Sequence, residues 1–92
     1  MIPYPVEGGH QKVAFTATSA AIANAVGTQI RRVAVYSTTD CYIRFEKSPT
    51  ATTSDFFLPG SMVVMLSIRP GQKVAAVQDA TAGTLHVSEI DY

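Results

Sequence analysis

Ninety-two residues set the size of one domain, and a 47% hydrophobic content supplies enough apolar side chains for a core without disulfides or metal. Seven basic and seven acidic residues cancel, which removes the basic excess that nucleic-acid binding normally requires. Charged residues make up only 15% of the chain, against about a quarter in an average domain, so Thr, Ser, Ala, Gln and some exposed apolar groups must cover the surface. Such a surface favours packing against other copies or other proteins, and a homo-oligomer or larger assembly is expected.

The opening "MIPYPVEGGHQK" reads as an extended arm over residues 1–11. Pro3 and Pro5 fix φ and lack amide hydrogens, and Gly8-Gly9 adds a flexible joint. Ile2, Tyr4 and Val6 make the arm apolar enough to dock on a neighbour. The stretch has neither the basic nor the apolar region of a secretory signal. A domain over residues 12–92 is expected to follow. Val13, Phe15 and Ala17 share one side of its first strand, and Lys12, Ala14 and Thr16 share the other. The Ala-rich "AAIANAVG" is too short for a stable isolated helix and reads as a second strand or an irregular return.

"QIRRVAVYS" places Val33 and Val35 on one face, with Arg32 and Tyr36 on the other. "DCYIRFE" turns Cys41, Ile43 and Phe45 inward and Tyr42, Arg44 and Glu46 outward. Thr38-Thr39-Asp40 between them suits a hairpin. Next comes the uncharged run "SPTATTS", followed by Asp55 and Phe56-Phe57-Leu58. These three cannot share one side of a strand, so one phenylalanine should meet a partner or cap a sheet edge. "SMVVMLSIR" directs Met62, Val64, Leu66 and Ile68 inward and leaves Val63 and Met65 side by side outward. Met62 to Leu66 is also the longest apolar run, far short of a membrane span. "RPGQ" is a turn, "KVAAVQ" a strand, and "TLHVSEI" a closing strand with Leu85 and Val87 inward. About seven to eight short strands, with turn signals between them and no amphipathic helix, predict an all-β, jelly-roll-like antiparallel sandwich.

Chemistry finds little support in this pattern. Serines, His10, His86 and Asp40 supply the names of a triad, but no Gly-x-Ser-x-Gly elbow surrounds them. His10 falls in the arm, and His86 alternates outward on the last strand. Two histidines and one cysteine in three separate segments lack metal-ligand spacing. The carboxylates are scattered, and "PGSM" and "RPGQ" are turns rather than phosphate cradles. Cys41 opens an inward strand face and reads as a small buried hydrophobe, and a single cysteine implies no oxidising compartment. The expectation is a non-enzymatic protein with no catalytic residues, cofactor, metal, small-molecule substrate, nucleic acid or membrane partner. The residues singled out for a protein interface are Ile2, Tyr4, Val6, Phe56, Phe57, Val63 and Met65.

From about residue 32 onward, "RVAVYSTTDCYIRF", "PTATTSDFFLP", "PGQKVAAV" and "AGTLHVSEI" follow in an order and spacing that resembles small structural proteins of tailed bacteriophages. The resemblance covers about two-thirds of the chain. It implies a β-sandwich made in the host cytoplasm and carried in the virion. Binding would be to the major capsid protein or other virion proteins, in many copies. Decoration or cementing of the capsid is the first expectation, and a head–tail connector or tail-associated subunit is the second. A carbohydrate-binding sandwich is a reading of another class, for which Tyr36, Tyr42 and Tyr92 would have to form a platform.

Overall fold

The computed structural model describes residues 4–27 and 31–91, among which the chain forms eight strands and no helix. The strands are β1 (Tyr4–Phe15), β2 (Ala20–Ala21), β3 (Arg32–Ser37), β4 (Cys41–Glu46), β5 (Phe56–Leu58), β6 (Val63–Ser67), β7 (Lys73–Gln78) and β8 (Gly83–Asp91). They build two four-stranded antiparallel sheets, ordered β1-β8-β3-β6 and β2-β7-β4-β5, packed as a sandwich. Only β4 and β5 are consecutive strands of one sheet. Every other connection carries the chain from one layer to the other.

The Thr38-Thr39-Asp40 link is therefore a crossover between layers and not the hairpin its length suggested. Its hydrogen bonds explain why. Thr38 N–H donates to Thr84 O at 3.1 Å, and Ser61 N–H donates to Ser37 O at 2.7 Å. Gly60 N–H donates to Asp40 Oδ1 at 2.7 Å, joining this crossover to the one between β5 and β6. The two backbones touch, since a Cβ on Gly60 would lie 2.7 Å from the Thr39 carbonyl carbon. Only glycine permits that approach.

Residues 4–11, expected as an arm, belong to β1. Tyr4 pairs with Asp91 and Pro5 with Ile90, and pairing resumes at His10 opposite Ser88. Five steps along β1, from residue 5 to 10, thus run opposite two steps along β8, from residue 90 to 88. The Gly8-Gly9 pair sits in this irregularity, and β1 is an edge strand where Pro5 deprives no further neighbour of a donor. The sequence signals of an arm were those of an edge and a bulge. Ile2 lies outside the described residues, as does Tyr92.

Alternation builds the core. Val33 and Val35 from β3 and Leu85 and Val87 from β8 face Cys41 and Ile43 from β4 and Val74 and Ala76 from β7. Phe15, Ile22, Val26, Leu58 and Ile68 close the ends of this layer, and Phe45 packs against it. Strand β7 is buried on both faces, because Ala75 and Val77 form a second cluster with Ala51 from the Thr-rich segment. That segment is a cover over the second sheet. Ala51 N–H donates to Ser19 Oγ at 2.8 Å, while Thr52 N–H donates to Asp55 Oδ2 at 2.7 Å and Asp55 N–H returns to Thr52 O at 3.0 Å. In "RPGQ", Gly71 has φ of 82°, and Gln72 N–H donates to Arg69 O at 3.2 Å, as the Pro-Gly pair predicts.

Cys41 is fully buried, and desolvation is the main cause that pushes its thiol above the ordinary range. The neighbouring Asp40 carboxylate adds to this, against an opposing hydrogen bond with Ser37. The native protein is expected to label slowly with a thiol reagent and rapidly once denatured. Fast labelling of the native state would place the β4 inner face in water.

Candidate interaction surface

The two sheets end, on one flank, in β5 and β6, each an edge strand. Strand β6 pairs only with β3, setting Val64 opposite Val35 and Leu66 opposite Val33 on the inner face. Val63 opposite Tyr36 and Met65 opposite Ala34 then point outward, 65% and 44% exposed. Strand β5 is short because only Phe56, Phe57 and Leu58 find partners on β4. Leu58, opposite Cys41, is buried. Phe56, opposite Ile43, reaches the inner face at the open flank and is still exposed. Phe57 packs edge-on against Tyr42 on the outer face, with ring centroids 5.5 Å apart.

Met62 was expected inward and is instead 53% exposed. It precedes β6, directly after Ser61, whose φ of 59° belongs to the turn that delivers the chain to the strand. Among the described residues, the exposed large hydrophobics are Phe56, Phe57, Met62, Val63 and Met65. All fall within one ten-residue stretch on or beside the two edge strands, with Val63 and Met65 on the outer face of the first sheet, Phe57 on the outer face of the second and Phe56 at the open flank between them. Strand β6 carries no charge, proline or bulge of the kind that usually protects an open edge.

Between the edges lies a cleft of about 350 Å³, lined by Ile43, Phe45, Phe56, Leu66, Arg44 and Asp55. It exists because β5 stops at Ile43 on β4, leaving Arg44 to Glu46 without a strand on that side. Arg44 pairs with Glu46 and, at 3.4 Å, with Asp55. The Arg44–Glu46 pair is exposed on both sides and adds little to stability, while Asp55 is mostly buried, and together they mark a polar rim beside an apolar groove. Arg44, Asp55 and Phe45 were not singled out from sequence, since only the folded chain shows where β5 stops.

Tyr4 and Val6 lie on β1, at the far edge of the first sheet from β6. The structure therefore does not gather them with Phe56, Phe57, Val63 and Met65. Tyr36 is on β3 and Tyr42 on β4, in different sheets, so these two share no platform. His10 is not on a detached arm. It stands on β1 beside His86 of β8, with His86 Nδ1 3.3 Å from His10 Nε2. Among the described residues no group of three or more His, Cys, Asp or Glu gathers in metal-binding distance. The surface can offer a partner dry apolar area and unpaired strand backbone, which suits protein recognition by added strands or apolar docking. No family model, curated protein or solved structure matches the chain.

Proposed function

We propose that this chain is a non-enzymatic virion protein of a tailed bacteriophage that decorates and clamps the capsid. The single observation that carries the reading is the apolar flank formed by Phe56, Phe57, Met62, Val63 and Met65 around two edge strands. Burying such a patch yields roughly 25 cal/mol per Å² before the costs of association. Repetition over a symmetric shell would add avidity that a single weak contact lacks. The segments "RVAVYSTTDCYIRF", "PTATTSDFFLP", "PGQKVAAV" and "AGTLHVSEI" resemble those of phage structural proteins and suggest the class of partner. A jelly roll is the finer fold reading, supported by eight strands, layer-crossing connections and the order β1-β8-β3-β6 over β2-β7-β4-β5.

The test is made on tailed-phage particles that carry the gene. Mass spectrometry of salt-washed particles should find the protein in many copies, and the purified chain should co-sediment with particles assembled without it. Absence from washed particles, together with no co-sedimentation, would refute the virion assignment.

A further inference from the structure

We infer that His10 and His86 form a two-imidazole site for a late first-row divalent cation, of which Zn²⁺ is the simplest probe. The site lies on the outer face of the first sheet, where β1 and β8 run side by side, and it is independent of the apolar flank. His10 Nε2 and His86 Nδ1 are 3.3 Å apart. Two nitrogens bound at about 2.0–2.1 Å to one tetrahedral ion stand about 3.3–3.4 Å apart. Rings whose bound nitrogens point at that common ion have centroids separated by about 5.2 Å. The observed centroid separation is 5.3 Å with the rings stacked, their planes 30° apart, so a modest ring rotation would aim both nitrogens at one ion.

The surroundings also fit. His10 Nδ1 lies 2.9 Å from Ser88 Oγ, and the tautomer whose Nδ1–H donates to that hydroxyl carries Nε2 as the unprotonated, ligating nitrogen. The register sets this arrangement, with Ser88 directly opposite His10 and Lys12 directly opposite His86. Both rings have access to solvent, so water can complete a tetrahedral shell. Cys41 is buried in the core and does not compete for the ion. Without metal, the same two nitrogens share one hydrogen bond. An ion held between β1 and β8 binds the folded state alone and therefore stabilises it by mass action.

Calorimetric titration of ZnCl₂ into the intact chain at neutral pH should give one ion per chain, and thermal unfolding should shift upward as the site fills. His10→Gln and His86→Gln should each lower affinity at least about 10-fold, and Ser88→Ala about 10-fold. Circular dichroism checks that each variant is folded. The ring-proton resonances of the two histidines in the unmodified chain provide a readout that needs no variant, since both should move along one titration curve. No binding and no thermal shift with millimolar ZnCl₂ would overturn the site. So would unchanged binding in both histidine variants, or movement of only one ring.

Discussion

Phe15→Ala is expected to be among the most damaging core truncations, costing about 3–5 kcal/mol. Phe15 is only 1% exposed and closes the end of the sandwich where β1 meets Gly83 of β8. A Cβ on Gly83 would lie 3.0 Å from the phenyl tip, so the ring packs tightly there and its removal leaves a cavity. Against a total stability of about 5–15 kcal/mol, that loss brings the domain near unfolding. Leu66→Ala provides the contrast. Leu66 faces inward but lines the open cleft and is only partly buried, so its truncation should cost about 1–2 kcal/mol. Urea denaturation with a constant m-value measures both. Equal losses would mean that the flank closes over Leu66 in solution.

The second large effect is on binding and leaves the fold alone. Val63→Thr and Met65→Gln alter side chains that point away from the core, so each should change monomer stability by no more than about 0.5 kcal/mol. In a dry interface the same hydroxyl or amide would lack a partner and cost about 1–3 kcal/mol, which is about 5-fold to over 100-fold in affinity. Under the proposed capsid role, thermal unfolding of dilute monomer and co-sedimentation with phage particles assembled without the protein separate the two readings. Normal melting with lost co-sedimentation identifies the patch as the attachment surface. Normal co-sedimentation of both variants would move attachment elsewhere on the molecule.

Local alternation in β3, β4 and β8 was legible because period-two patterning reports directly which face of a strand is buried. Val33, Val35, Cys41, Ile43, Leu85 and Val87 all lie where it put them. What it could not carry was pairing between distant strands. Thr38-Thr39-Asp40 has hairpin length, yet crossover geometry follows from Gly60 and Ser61, about twenty residues later. The "KVAAVQ" segment shows no alternation because Ala51 covers its second face, and the low bulk of Ala75 permits that approach. His10 and His86 belong to different strands 76 residues apart, so no spacing rule could join them. The apolar flank was half legible. Val63 and Met65 follow from alternation, while Met62 and the cleft depend on where a turn ends and where β5 stops.

The pairing of β1 with β8 has a consequence for how the protein comes to exist. His10 and Ser88 are 78 residues apart, so at a synthesis rate of about 5–20 residues per second β1 waits about 4–16 s for its partner. Within that interval β3 has neither neighbour until β6 is made, and only β6 until β8 follows, since it sits between the two. A nascent chain on the ribosome thus displays unsatisfied strand backbone beside uncharged, apolar β6. Copies growing on the same messenger are the nearest source of complementary strands. Correct folding is a contest between finishing β8 and meeting the exposed edge of a sibling chain.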